Sequence, residues 1–193
     1  YVIYGRLTFP LRGVKGNLLG ISGRNVGDNG GPRFKVYDTE YEAFGMKKRM
    51  RPRKGIVLWN ADRVFQSVYF SRRAYVVVVE GFKACLRVLQ AGYQNTVAAL
   101  GKDLSEEQKW ILETMGATVY LMFDNDVAGR DGLLKVAPKL AQGLTVRIVE
   151  YPAAQPSDLH VDQVKAALDT AQNYYQWVNK EKNNGVWQGP ERH

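Results

Sequence analysis

Three carboxylates in this sequence have the type and spacing to do chemistry. Glu80 closes the β-branched run Tyr75-Val-Val-Val-Val79, and Asp124 and Asp126 close a second apolar run, Thr118-Val-Tyr-Leu-Met-Phe123. Two acids two residues apart, at the point where a strand gives way to a turn, can both reach one edge. Hard oxygen groups gathered there repel one another unless a divalent cation sits among them, and Mg²⁺ favours such ligands. The pattern therefore points to a Mg²⁺ or Mn²⁺ site that handles phosphates.

The elements that must position these acids follow from the apolar pattern. Both runs are about strand length, and their Val, Thr, Tyr and Phe content favours strand over helix. They are predicted as buried parallel strands with the acids at the C-terminal edge, where open α/β sheets place ligands. Phe82, Cys85, Leu86 and Leu89 mark one face of a helix between them, which fades by Ala91-Gly92. Thr96–Leu100 reads as a short strand ending at Gly101. Ser105-Glu-Glu-Gln108 has the form of a capping box for a helix ending near Gly116. After the second acidic edge, a helix is expected from about Ala128 to Gln142, stopped by Gly143. Thr145–Val149 reads as the next strand, and 152–158 as its exit loop. A last helix is expected over Val161 to Val178, with Val161, Val164, Leu168, Ala171 and Tyr175 inward. Alternating strands and helices with short connections imply a parallel sheet covered on both faces.

Upstream the character changes. Residues 1–73 hold 15 Lys/Arg against 5 Asp/Glu, whereas residues 74–193 hold 12 against 14. A basic half joined to an acid-edged half suits a polyanion that needs backbone contacts and a metal. Arg6–Phe9, the glycine-bearing turn near Gly13–Gly16 and Asn17–Arg24 read as a hairpin. Residues 28–32 (Asp-Asn-Gly-Gly-Pro) signal a turn. Arg33-Phe34-Lys35 then offers cations and a ring that can touch phosphate and base together. The run 47–54 carries six cations in eight residues, as a solvated loop or a nucleic-acid contact. The expected organisation is a basic β-rich subdomain over 1–73, an α/β domain over 74–178 and a flexible tail over 179–193.

Composition excludes several classes. At 193 residues and 45% hydrophobic content, the chain can hold one domain, or one plus a smaller one. No apolar run approaches the roughly 18–20 residues of a membrane span, so a soluble, cytoplasmic protein is expected. The single cysteine, Cys85, excludes an internal disulfide and lies on an apolar helix face. Cys85, His160 and His193 do not make a zinc ribbon, so no structural zinc is expected in this chain. A start at Tyr1, without Met or a signal-like segment, reads as a processed or excised fragment.

Three motifs together resemble the Toprim domain of bacterial DnaG-type DNA primases: V-V-E-G-F (78–82), A-A-L-G (98–101) followed by L-S-E-E-Q (104–108), and F-D-N-D-V-A-G-R-D (123–131). The upstream stretch R-L-T-F-P-L-R-G-V-K-G-N-L-L-G-I-S-G-R (6–24) is similar to the part of the primase core that precedes Toprim. The likeness covers about residues 5–170. It implies a Toprim, Rossmann-like fold behind a small basic β-rich subdomain. It further implies a primase core making short RNA primers on single-stranded DNA from nucleoside triphosphates, with Mg²⁺ or Mn²⁺. Glu80 matches the Toprim glutamate, Asp124 and Asp126 its Asp-x-Asp, and Asp158 a late acidic loop. Arg24, Arg33 and Lys54 match positions where such primases place basic residues for nucleotide or nucleic acid.

On the residues themselves, Glu80 is a candidate general base or metal-orienting group, and its alternative is a carboxylate capping the next helix. Lys83 can serve phosphate or be solvated. Arg130 is a phosphate clamp or a carboxylate partner. His160, with no spacing partner, is a loop histidine. This sequence departs from the family at Ala84, four residues after the glutamate, and at Gln155 in the late loop, where acids are usual. Fewer metals or weaker binding are expected from that. The zinc module and helicase-interacting region of complete primases are not in this sequence, so a partner chain supplying them is expected. Two rivals stay open: a Toprim nuclease, in which water replaces the hydroxyl, and a nucleic-acid-binding module without turnover.

Overall fold

The computed structural model describes residues 5–27, 31–37, 39–43, 45–50, 54–71 and 74–183, with backbone alone for 39–43, 47–50 and 54. Three antiparallel strands come first: β1 (Arg6–Arg12), β2 (Leu18–Asn25) and β3 (Phe34–Tyr37), in that spatial order. The β1–β2 pair is the expected hairpin, and Gly16 takes a left-handed φ of 83° in its turn. A second hairpin joins β4 (Thr39–Ala43) to β5 (Met46–Met50). The cationic run 47–54 therefore begins as a strand rather than a loop, while residues 51–53 lie outside the described residues.

The next element is α1 (Ala61–Phe70), where the sequence predicts no helix. Its Val, Phe and Tyr residues are weak helix formers. Ala61, Val64 and Val68 nevertheless bury one face against the main sheet. Burial outweighs propensity here.

The rest alternates: β6 (Tyr75–Val79), α2 (Phe82–Gln90), β7 (Thr96–Ala98), α3 (Glu106–Met115), β8 (Thr118–Leu121), α4 (Val127–Leu140), β9 (Val146–Ile148), a 3-10 turn (Pro156–Asp158), α5 (Val161–Asp169), β10 (Gln172–Asn173) and α6 (Tyr174–Asn183). The five strands lie in the order β10-β9-β8-β6-β7, parallel except for β10. The chain thus reverses its winding direction at β6, between β7 on one side and β8 on the other. That is a topological switch point, the usual ligand crevice of such sheets.

The single helix expected over 161–178 is in fact two helices. Gln172 and Asn173 pair antiparallel with β9 and break it. The apolar period crosses the break, but the phase changes: Tyr174, Trp177 and Val178 face inward and Tyr175 is exposed. Helix α6 continues to Asn183, past the expected start of the tail, and residues 184–193 lie outside the described residues.

Strand alternation gives the sheet two apolar faces. Val76, Val78, Val119 and Leu121 pack with α1, α3, α4 and α6. Val77 and Val79 pack with α2 and α5, and here Cys85 is buried. A third cluster of Phe9, Leu11, Val57 and Phe82 fastens the antiparallel sheet to the first turn of α2. Phe9 and Phe82 stack with ring centroids 4.2 Å apart, and the Trp59 indole donates to the Pro10 carbonyl at 3.0 Å. The basic sheet is thereby anchored two residues from Glu80. Among the described residues no helix is long and apolar enough to cross a membrane.

Candidate active site

Glu80 follows the last residue of β6, and Asp124 comes three residues after β8, its sheet neighbour. Parallel pairing of the two strands is what brings the acids together. The Asp124 amide donates to Glu80 Oε1 at 3.1 Å. Burial is the main force lifting Glu80, aided by the charges of Asp124 and Asp126; against them act the Asp124 amide bond and Lys102, and the carboxyl settles at about 7. Asp124 is also raised, by burial first and then by Asp126 and Asp158, with Arg33 pulling it back.

Asp126 has a second task. Its side chain accepts the Gly129 amide at 2.8 Å and caps α4. Gly129 has to be glycine, because a Cβ there would lie 2.0 Å from the Asp124 carbonyl oxygen and 2.8 Å from Glu80 Oε1. A glycine in a first helical turn is itself a sequence signal of close approach, since it costs helix stability.

The late loop is tied to the same turn. Asn125 donates its amide to Ala154 at 2.7 Å and its side-chain nitrogen to the Tyr151 carbonyl at 3.2 Å. The Tyr151 hydroxyl donates to the Phe123 carbonyl at 2.5 Å. Burial, then the charges of Asp124, Glu80, Asp126 and Asp158, push that phenol up and keep it a donor. Asp158 ends the 3-10 turn and pairs with Lys83 at 3.5 Å. Lys83 thus has a carboxylate partner at this edge.

Facing the acids is the antiparallel sheet. Ser22, Arg24, Phe34 and Val36 share one face through the β2–β3 register, Arg24 opposite Phe34 and Ser22 opposite Val36. They join Arg33, Glu80, Phe82, Lys83, Asp124 and Gln155 around a cavity of about 280 Å³. The Arg24 guanidinium lies over the Phe34 ring, 5.9 Å from its centroid. Leu100 closes one side with a left-handed φ of 61°.

Not every expected residue lines this cavity. The Lys35 ammonium lies over the Tyr37 ring, 5.3 Å from its centroid. Lys54 starts a short 3-10 turn, and its side chain lies outside the described residues. The Arg130 guanidinium pairs with Glu181 of α6, so a carboxylate partner is what it has, though on another helix than the acidic edge. His160 is the N-cap of α5. Phe82, Gly129, Asn125, Tyr151 and Lys102 shape the site without having been singled out for it in the sequence.

The donor set suits a hard divalent cation, because two half-buried carboxylates, each raised by burial and by neighbouring acids, are relieved by positive charge. Among the described residues, however, no three His, Cys, Asp or Glu side chains gather as a metal-ligand group. Asp126 is engaged with the α4 cap and Asp158 with Lys83. One or two carboxylates, with water and substrate phosphate completing the shell, is nonetheless the common mode for Mg²⁺.

Comparison with known proteins is consistent with this geometry. Residues 77–162 match the family described as Toprim-like. A DNA primase of Staphylococcus aureus is 29% identical over 157 residues, which is 81% of this chain and 24% of that protein. The chain therefore spans about a quarter of the length of the curated relatives it matches. A DNA primase domain from Pseudomonas aeruginosa superposes with a TM-score of 0.70 at 27% identity, over 92% of this chain and 55% of that one. The zinc-binding and RNA polymerase domains of the Aquifex aeolicus primase give a TM-score of 0.74 at 21% identity, over 93% and 44%. At that identity the likeness concerns the fold.

Proposed function

Because this chain is a relative of the Toprim-containing catalytic core of bacterial DnaG-type DNA primases, we propose that it carries out metal-dependent nucleotidyl transfer, making short RNA primers on single-stranded DNA. The observation that carries the reading is the cavity in which Arg24 and Arg33 face Glu80 and Asp124 at the switch point of the sheet. Cations alone would suit binding, and acids alone would suit a metal. Opposed across one cavity, they suit a nucleoside triphosphate whose phosphates meet both.

In the reaction a primer 3′-hydroxyl oxygen bonds to the α-phosphorus, the bond to pyrophosphate breaks, and the hydroxyl proton must leave. Glu80 and Asp124, with Asp126 and Asp158 nearby, would hold Mg²⁺ or Mn²⁺, which when bound would supply charge for the phosphates and acidity for the hydroxyl. Glu80 is placed either to orient that metal or, left free of it, to accept the proton, its carboxyl being lifted by burial in the metal-free protein. Arg24 and Arg33 neutralise the triphosphate from the opposite wall, and the Phe34 ring offers a face for a base. Lys83 holds the late loop through Asp158 and stands ready for phosphate. Arg24 and Arg33 also meet phosphates of a single strand passing the acids, and the basic run 47–54 adds charge to the template path. A replicative helicase or a zinc-binding module supplied by another chain is a further partner in this reading.

The test is primer synthesis on single-stranded DNA with labelled nucleotides and Mg²⁺ or Mn²⁺, comparing wild type with Asp124→Ala. Oligomers from wild type alone are expected, with activity in the variant down by about 10²-fold or more. Degradation of the template would instead establish the nuclease. Template binding without either product, even with a zinc module and helicase added, would leave a binding module.

A further inference from the structure

Helix α6 is clipped to the back of the acidic edge at two points. Glu150, next to Tyr151, accepts hydrogen bonds from Trp177 at 3.2 Å and Lys180 at 2.7 Å, both on α6. At the second point Glu181, only 3% exposed, pairs with Arg130 in the first turn of α4. Between them a cavity of about 200 Å³ is lined by Asp124, Asn125, Arg130, Glu150, Tyr151 and Trp177, among others. It lies directly behind the carboxylate that also lines the front cavity.

The pair joins a buried acid to a cation whose side chain is 41% exposed, and it is a poor source of stability, because desolvation of the carboxylate offsets much of the attraction. What it provides is a defined place for a charge. Arg130 follows Asp126 by one helical turn, its amide bonding the Asp126 carbonyl at 2.9 Å. Its Nε is buried and has no hydrogen-bond partner, so the guanidinium is not fully satisfied where it sits. The carboxylates that share a cavity with that cation are Asp124 of the acidic edge and Glu150, and Trp177 and Lys180 already hold Glu150.

We propose that Arg130 and Glu181 are positioning residues: the pair is a latch by which α6 keeps the Arg130 guanidinium off Asp124 and Asp126, leaving those carboxylates for the metal. The idea rests on the catalytic reading above. It assigns α6 a role in a site to which it contributes no direct ligand.

The discriminating experiment compares Glu181→Gln with the double variant Glu181→Gln/Arg130→Gln. In a Mn²⁺ titration of the full chain followed by spin resonance, Glu181→Gln weakens uptake by about tenfold. The double variant, having lost the competing cation, returns close to wild type. A second arm, in metal-free protein, follows amide hydrogen exchange at Gly129 and Asn125. Glu181→Gln speeds both by about an order of magnitude while Val77 and Val119 in the sheet hold, and the double variant restores them.

A helix that merely packs gives another pattern: uniform acceleration through the sheet, and a double variant no better than the single one. Either result overturns the latch, as does wild-type behaviour of Glu181→Gln. Wild type that takes up no Mn²⁺ refutes the metal reading by itself. The exchange arm then decides the latch independently.

Discussion

At the scale of single residues, the carboxyl of Glu80 carries a cost that a bound cation removes. Burial lifts it to about 7, with Asp124 and Asp126 adding to the effect, whereas in the unfolded chain it titrates near ~4.3. Between those values the folded state holds the extra proton, so metal-free stability rises on acidification and falls as pH climbs through the folded value. Glu80→Gln keeps the size and an acceptor for the Asp124 amide but cannot ionise. In chelator-treated protein the variant is expected to be more stable than wild type at about pH 8, by about 1 kcal/mol once partial exposure is allowed for. At about pH 5 the difference is expected to shrink. Urea unfolding at the two pH values checks both points, and a less stable variant at the higher pH would contradict the burial argument. Mg²⁺ should raise wild-type stability and leave the variant nearly unmoved.

At the scale of elements, the site depends on how the antiparallel sheet is fastened to α2. Phe82 stacks on Phe9 and meets the Trp59 ring edge-on at 5.1 Å, and its own ring is 5% exposed. Phe82→Ala is expected to cost about 3–5 kcal/mol, lowering the urea midpoint and loosening Arg24 and Arg33 from the acids; Phe82→Leu should recover much of it. A loss below about 1 kcal/mol would mean that the two sheets are held otherwise. The sequence shows Phe82 only as one apolar position of a helix, because its partners are far away in the chain. The same holds for Arg130, whose carboxylate lies 51 residues on. What the sequence does make legible is local: a β-branched run ending in an acid, and the Ser105–Gln108 capping box, formed in both directions. It conceals α1, where Val and aromatic residues favour strand and only burial makes a helix. It also conceals the break at β10, because the apolar spacing runs on across two residues that pair with β9. Patterns within one element could be read; choices settled by contacts between elements could not.

At the scale of the whole molecule, the net charge of +8 comes from the first 73 residues, and two of their arginines, Arg24 and Arg33, line the cavity with Glu80 and Asp124. Charge alone would attract any polyanion from any side. The fold makes a narrower claim, because residues of β2 and β3 alternate between two faces. Arg24 lies on the face that lines the front cavity and Arg33, just before β3, lines the same cavity, while Lys35 alternates to the other face of β3 with its ammonium over Tyr37. A single strand threaded past the acids should therefore place phosphates on the two arginines rather than on the lysine. Each phosphate neutralised releases condensed counterion, so the slope of log affinity against log salt counts the contacts, at about 0.7 per phosphate on a single strand. Arg24→Ala/Arg33→Ala is expected to flatten that slope by about 1.4, and Lys35→Ala to change it by much less than 0.7. Fluorescence anisotropy with labelled oligonucleotide over a salt series measures all three. If Lys35→Ala flattens the slope as much as either arginine does, the chain binds through diffuse charge, and the face opposite the carboxylates has no special claim on the template.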